Sequence, residues 1–529
     1  MRKRILVVRL GSLGDIILTS APVLNLKLHF PDSELTYLTR RKYADIVRCF
    51  DGVDRLALLS DNPRAREYVR CLRNLDREKF DIVVDLHGNA RSWLARRLIS
   101  AGRKAVYPKR RLERRAIVRS KRIPEAWPHT IDLYNECVGQ LGGEAVCRRP
   151  HLRPPGAAQA PRSQVDRSGP RVVVAPGAAH PNKQWPPERF WQVARSLHQS
   201  HGAAICWVVT GRDRELTKDF SGLPEDALTV LIDEPLGALA SHMAGADLTI
   251  ANDSGLAHLS SAVGTPVMAV FGPTHPSLGF APRGLLDQVV EVEEFCRPCS
   301  LHGKKPCYRE EPFCFTRIPV ERVAGIASEI LARSTARSPA VFVDRDGTVM
   351  VDKEYLSDPD EVELEPGAAE ALKLLREGRY KLVIVSNQSG VARGYHGTDS
   401  VEQVNRRLLK VLSEAGVEVD DIYYCPHLAG AGNDSVFGVR CRCRKPSPGM
   451  AEEAAYRHDI DLSRSVVIGD SQVDYNLGRV IGGRSLLVRT GYGSSVERKL
   501  SSLGALREGT VFDNLLAAAR HLAGEKLHA

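Results

Sequence analysis

Short runs rich in Val and Ile recur along the whole chain, and most are apolar at consecutive rather than alternate positions. They are Ile5–Leu10, Ile82–Leu86, Val172–Ala175, Ile205–Thr210, Leu248–Ala251, Val267–Phe271, Ala340–Val343, Leu382–Ser386, Val466–Gly469 and Ser485–Val488. A strand with water on one face alternates polar and apolar residues; one that is apolar throughout is covered on both faces. Amphipathic stretches lie between the runs, so the pattern predicts parallel sheets covered by helices, an α/β fold in every domain. At 529 residues the chain has room for three or four domains of about 150 residues each. Two segments without periodicity read as linkers, Arg153–Pro170, rich in Pro, Gly, Ala and Ser, and the shorter Ala332–Pro339. They divide the chain into 1–152, 171–331 and 340–525.

The opening MRKRILVVRLGSLGD is basic and then apolar, as an export signal would be. Arg9 interrupts the apolar run, and Asp15 follows where a small-residue cleavage site should stand, so Arg4–Leu10 reads as a buried strand entering a glycine turn. No run of 18 or more apolar residues occurs. The expectation is a cytoplasmic protein. Of twelve cysteines, four fall between Cys296 and Cys314 and three between Cys425 and Cys443. In a reducing compartment such clusters point to metal before disulfides.

The net charge of +10 is uneven: Arg91–Arg122 holds thirteen Lys or Arg and one acid, Glu113. This is either a solvated helical face or a surface for an anionic partner. Because Trp93, Leu94, Leu98, Ile99 and Val106 are interleaved, the stretch suits peripheral contact with an anionic membrane surface. Nucleic acid is not expected, since its supporting motifs are missing.

In VFVDRDGTV, an apolar strand ends in Asp344, with Asp346 two residues on and Gly347 allowing a turn. Two close carboxylates repel unless a hard cation such as Mg²⁺ lies between them. Asp344 can then attack phosphorus, and Asp346 can protonate the leaving oxygen and later deprotonate water. Three further strand ends follow in order. VSNQSG offers Ser386 and Asn387 to phosphate oxygens, CRKP offers Lys445 as a balancing cation, and VIGDSQVD offers Asp470 as a further magnesium ligand with Asp474 behind it. Cys425-Pro-His427 and Cys441-Arg-Cys443 supply three sulfurs and one imidazole, a closed tetrahedral set for structural Zn²⁺ beside Arg444 and Lys445.

The order and context of these four strand ends resemble the haloacid dehalogenase (HAD) superfamily. That resemblance implies a Rossmann-like domain with Asp344 as nucleophile and Asp346 as acid/base. Mg²⁺ would be held by Asp344, Asp470 and the backbone carbonyl of Asp346. DRDGT, NQSGVARG, YYCPH and CRCRKPSPGM are similar to the D-glycero-D-manno-heptose 1,7-bisphosphate 7-phosphatases, whose substrate would then be heptose 1,7-bisphosphate, with Arg393 and Arg444 gripping its second phosphate. Histidinol phosphatases share the zinc loop and give the alternative: a phosphatase of that type behind a non-catalytic glycolipid-binding module.

In the front two thirds, Gly11-Ser12-Leu13-Gly14-Asp15 turns from a strand into a helix; Asp15 can be a helix cap or a general base. Lys183 follows another strand, and Asp253, Ser254 and Gly255 stand where a strand gives way to a helix, whose free N–H groups can cradle a diphosphate that Lys183 neutralises. GSLGD, DIVVDLHGNARS, PGA…NKQWP, NDSGLAHL and FGPTHP together resemble the ADP-heptose:lipopolysaccharide heptosyltransferases, and lean toward the second of the inner core. The resemblance implies a GT-B plan of two Rossmann-like domains, an acceptor domain and then a nucleotide-sugar donor domain. It implies metal-independent transfer from ADP-heptose to a lipopolysaccharide core acceptor, with Asp15 as base and Lys183, Ser254, Gly255 and His258 on the donor.

Overall fold

The structure is a computed structural model, which describes residues 2–154, 169–217, 222–431 and 436–527. The chain forms two compact units, Met1–Thr335 and Ala336–Ala529. Most of the first expected linker, 153–170, lies outside the described residues. The second is not a linker over its first half. A helix Val320–Ala336 runs through it, because nothing from Ala332 to Ala336 breaks a helix and the first proline is Pro339.

Unit one holds two parallel sheets. The first contains β1 (Arg4–Val8), β2 (Glu34–Arg40), β3 (Arg55–Leu59), β4 (Ile82–Asp85) and β5 (Arg103–Val106), ordered β3-β2-β1-β4-β5. The second contains β6 (Arg171–Ala175), β7 (Ala204–Val209), β8 (Leu228–Ile232), β9 (Leu248–Asn252), β10 (Val267–Val270) and β11 (Gln288–Val290), ordered β11-β10-β9-β6-β7-β8. Unit two holds one parallel sheet of β12 (Ala340–Val343), β13 (Lys381–Asn387), β14 (Asp421–Cys425), β15 (Val466–Gly469), β16 (Arg484–Val488) and β17 (Val511–Phe512), ordered β14-β13-β12-β15-β16-β17.

The central strands are buried along their whole length: Ile5–Val8, Val172–Ala175, Leu248–Asn252, Val341–Val343 and Val466–Ile468 are all at or near zero exposure. Helices cover both faces, as the doubly apolar runs require.

Each sheet reverses its winding once, between β1 and β4, between β6 and β9, and between β12 and β15. At such a point the loops beyond the two neighbouring strands diverge and leave a crevice at the carboxyl ends. Gly11–Asp15 follows β1, Lys183 follows β6, Asp253 follows β9, Asp344 follows β12 and Asp470 follows β15. The three reversals therefore gather the chemically loaded loops.

Within unit one the first two crevices face each other. Gly14 sits where a Cβ would come within 2.7 Å of His258 Cδ2, and Gly255 packs on Leu13. The sheets are tied by Arg283 to Asp132 at 2.6 and 3.1 Å, and by Leu152 N donating to Ala262 O at 2.8 Å.

Candidate active sites

In unit one, β1 hands over at Gly11 to a helix Leu13–Leu18, and Asp15 lies in its first turn. Ser12 donates to Asp15 Oδ2 through its backbone N–H (3.5 Å) and its hydroxyl (2.8 Å), so the carboxylate caps the helix. The same oxygen takes an ion pair from Arg9 Nη2 at 2.6 Å, and the Tyr134 hydroxyl donates to Oδ1 at 3.1 Å. Burial pushes the Asp15 carboxyl up, but Arg9, Ser12 and Tyr134 outweigh it and hold it at about 2.

Arg9, the residue that broke the N-terminal apolar run, is buried and also donates to Leu86 O at 2.6 Å. The surroundings are cationic. Burial, with Arg9 and Lys109, pushes His87 down to about 3; burial, with Arg9 and Arg111, pushes Lys109 down to about 8.

Across the crevice, Lys183 Nζ lies 2.5 Å from Asp253 Oδ2, and the Thr274 hydroxyl donates to the same oxygen at 2.6 Å. Ser254 caps the helix Gly255–Ala262, its Oγ accepting from Leu256 N at 3.3 Å. His258 lies on that helix, buried, with Nδ1 meeting no hydrogen-bonding partner among the described residues. Burial lowers its pKa. Asn252, which the sequence reading passed over, fixes the Lys183 loop: it accepts from Trp185 N at 2.9 Å and donates to Pro176 O at 2.6 Å.

In unit two, Lys445 Nζ lies 2.7 Å from both Asp344 Oδ1 and Asp474 Oδ1 and donates to Val385 O at 2.8 Å. Asp344, Asp470 and Asp474 bring their oxygens within 4.8 Å of one another. Asp470 Oδ2 accepts from Tyr492 N at 2.7 Å. Gly347, at φ +72°, has no room for a side chain, since a Cβ would meet Asp470 Oδ2 at 2.6 Å. Burial and the neighbouring Asp474 push Asp344 well above the carboxylate range despite Lys445; burial pushes Asp470 up to about 7. Three carboxylates against one ammonium leave negative charge to be neutralised, and an all-oxygen cluster fits a hard divalent cation.

Asp346 turns its carboxylate away from this cluster. It accepts from Arg345 Nη2 (3.0 Å), Gln388 Nε2 (2.8 Å) and Ser386 Oγ (3.3 Å). Asn387, expected on phosphate, clasps the Lys445 backbone instead, accepting from its N–H at 2.9 Å and donating to its carbonyl at 3.2 Å. Arg393 is exposed, and Arg444 is half-buried with Nη1 donating to His427 O at 3.1 Å. Asp474 and Gln388 are the residues that sequence reasoning undervalued; Asp474 stands one turn beyond Asp470, and Gln388 directly follows Asn387.

Beside Lys445, Cys425, His427, Cys441 and Cys443 bring their ligand atoms within 4.8 Å of one another. Cys425 Sγ lies 3.5 Å from Cys441 Sγ and 3.2 Å from Cys443 Sγ, and Cys443 Sγ lies 3.3 Å from His427 Nδ1. These separations are too long for a disulfide of about 2.05 Å. They approach the tetrahedral edge of about 3.8 Å that ~2.3 Å metal–sulfur bonds produce. Three thiols and an imidazole so placed can hold a metal ion.

Family models match in three places. Glycosyltransferase family 9 (heptosyltransferase) covers residues 68–307, a HAD-hydrolase-like model 442–518, and a polynucleotide kinase 3 phosphatase model 340–479. The heptose-bisphosphate phosphatase of Thermosynechococcus vestitus is 39% identical over 161 residues, 30% of this chain and 82% of that protein. That of Bordetella bronchiseptica is 36% identical over 187 residues, 35% of this chain and 98% of that protein. The solved E. coli ADP-heptose heptosyltransferase II superposes with a TM-score of 0.50 at 17% identity, covering 64% of this chain and 100% of that one, a likeness of fold.

Fold and sites together define a HAD-type phosphatase region carried behind a two-domain, GT-B-type glycosyltransferase region. Through its C-terminal third the chain belongs to the D-glycero-D-manno-heptose 1,7-bisphosphate 7-phosphatase family.

Proposed function

We propose that the chain is a bifunctional enzyme of lipopolysaccharide heptose metabolism, built as three domains at 1–152, 171–331 and 340–525. The C-terminal domain removes the 7-phosphate of heptose 1,7-bisphosphate, and the front two transfer heptose from ADP-heptose to a lipopolysaccharide core acceptor. The observation that carries the reading is the Lys445-bridged carboxylate cluster at the β12/β15 reversal, inside a segment 39% identical to a phosphatase of that name.

Mg²⁺ fits the excess negative charge of the Asp344, Asp470 and Asp474 cluster; Asp344, Asp470 and the backbone carbonyl of Asp346 would hold it, and when bound it would offset charge on the phosphoryl oxygens. Asp344 attacks phosphorus to give an aspartyl phosphate as the sugar oxygen leaves. Asp346, oriented by Gln388 and Arg345, gives that oxygen its proton and then takes one from the hydrolytic water. Lys445 balances the phosphoryl charge. Zn²⁺ suits the Cys425, His427, Cys441 and Cys443 set, whose loop carries Arg444 and Lys445; Arg444 and Arg393 would meet the second phosphate. In the front half, Asp15 would deprotonate the acceptor hydroxyl. Lys183 would move from Asp253 to the donor diphosphate, with Ser254, Gly255 and His258 completing the donor site. Built-in cations do there what a metal does in the phosphatase. The basic, Trp93-bearing face would rest on anionic lipid.

The test is phosphate release from α- and β-heptose 1,7-bisphosphate beside histidinol phosphate, and ADP release from ADP-heptose with a core acceptor. Loss of one phosphate from the heptose bisphosphate and acceptor-dependent ADP release are expected. Turnover of histidinol phosphate alone would overturn the heptose assignment.

A further inference from the structure

Residues 291–312 form no helix or strand, a longer irregular connection than compact domains ordinarily carry. Yet the segment is fixed against the transferase crevice. Cys299 N donates to Pro273 O at 3.1 Å, Asn182 Nδ2 to Gly303 O at 3.3 Å, and Lys121 Nζ, at the end of the basic stretch, to Pro298 O at 2.8 Å. Gly303 lies on the Lys183 side chain, too close for a Cβ.

Cysteines stand through this segment and just beyond it as C-x2-C-x7-C-x6-C: Cys296, Cys299, Cys307 and Cys314. None is in a disulfide. Each lies within electrostatic reach of Cys314, and Cys299 also feels Cys296 and Cys307. Arg309 lies in hydrogen-bond reach of Cys296.

We propose that Cys296, Cys299, Cys307 and Cys314 together bind one thiolate-preferring transition-metal ion, of the zinc or iron class, and that this ion fixes the loop lying over Lys183. Four sulfurs with no carboxylate or imidazole among them select that class of ion, and a Cys-x2-Cys pair puts two ligands in one turn. The sulfurs stand less tightly together than those of the Cys425 cluster. Cys299 Sγ is turned to Pro273 O at 3.6 Å and Cys307 Sγ to Glu311 O at 3.7 Å, weak contacts that rotation of either side chain exchanges for a metal bond. Burial pushes the Cys299 thiol up, and that of Cys314 up to about 12, so uptake at these two displaces protons. The segment brings few apolar side chains of its own to a core, and a metal gives it the cross-link that its composition does not. The inference stands whichever sugar the front half transfers.

The experiment is metal stoichiometry on the full chain purified without oxygen, in the wild type, in Cys299→Ser/Cys307→Ser and in Cys441→Ser/Cys443→Ser. Cys307 is exposed and Cys299 half-buried, so the first pair can be replaced without opening the core. Two thiolate-bound equivalents are expected in the wild type, and one in each double variant. A single equivalent that survives Cys299→Ser/Cys307→Ser and vanishes with Cys441→Ser/Cys443→Ser overturns the proposal. Cobalt(II) titration of the metal-free wild type checks it without any variant: two equivalents should each raise a sulfur-to-cobalt charge-transfer band, and saturation after one overturns it. Disulfides among the four cysteines in the anaerobic protein would overturn it as well.

Discussion

Asp344 and Asp15 each follow the first strand of their sheet, each at a winding reversal, and their surroundings push them in opposite directions. Asp344 shares one ammonium with Asp474 and stands near Asp470, and its carboxyl is driven well above the usual range. Asp15 pairs with Arg9 and has Lys109 and His87 nearby, and its carboxyl is held at about 2. One site carries more negative charge than its single ammonium balances, and the other has cations to spare. A phosphatase built on the first must recruit a cation; a transferase built on the second has its cations in the chain. On the proposed functions, the same fold serves a metal-requiring and a metal-independent chemistry through the charge inventory of a few loops.

The largest expected effect separates the halves. Asp344→Asn should lower phosphate release by about 10⁴-fold or more, because the nucleophile is gone. Chelation of Mg²⁺ should stop the same reaction, and neither change should alter ADP release from ADP-heptose. If chelation stops transfer too, the contrast in charge inventory fails. Next, Asp15→Asn should lower transfer by about 10²- to 10⁴-fold, the range for a general base, and leave phosphate release intact. A variant with normal transfer would leave Asp15 as a helix cap only.

A finer effect concerns Arg9. In Arg9→Met, burial of Asp15 is opposed by Ser12 and Tyr134 alone, so its carboxyl should rise. The wild-type carboxyl at about 2 is ionised across the working pH range. In the variant, transfer should fall as pH is lowered through the raised value, an acid limb absent from the wild type. A pH–rate profile identical to wild type would show that Arg9 does not set the charge of Asp15.

The smallest effect is on the basic face. Trp93 and Leu112 are 56% and 79% exposed, among the arginines of Arg91–Arg122. Trp93→Ala/Leu112→Ala should weaken binding to anionic phospholipid vesicles several-fold, the interfacial share of a largely electrostatic contact. Sedimentation with vesicles measures it, and equal binding by the variant would remove the apolar share.

Much of this contrast is already legible in the chain. VFVDRDGTV and VIGDSQVD mark the phosphatase strand ends outright, and the paired cysteines mark the candidate metal site. The Asp15 site was half legible: helix cap and base were both readable, and the structure holds the residue in a capping contact and an ion pair at once. Arg9 was legible only as an interruption. Its role needs β1, β4 and the Tyr134 helix side by side, residues far apart in sequence.

What the sequence determined alone is the set of strands buried on both faces, β2 excepted, whose apolar run is interrupted by Thr36 and Thr39 although both are buried. The doubly apolar runs fall on β1, β4, β6, β7, β9, β10, β12, β13, β15 and β16. Two-faced burial demands apolar residues at every position, and that demand is local. The sheet edges β3, β5, β8, β11, β14 and β17 escaped it, because an edge strand is half-wet or short and its pattern merges with loop. Tertiary structure alone decided which strand ends became neighbours. It gave Lys445 both Asp344 and Asp474, turned Asp346 to Gln388, and turned Asn387 to the Lys445 backbone. The physical reason is that an ion pair forms between whichever loops the order of the sheet brings together, and a strand's own residues do not encode which strand lies beside it.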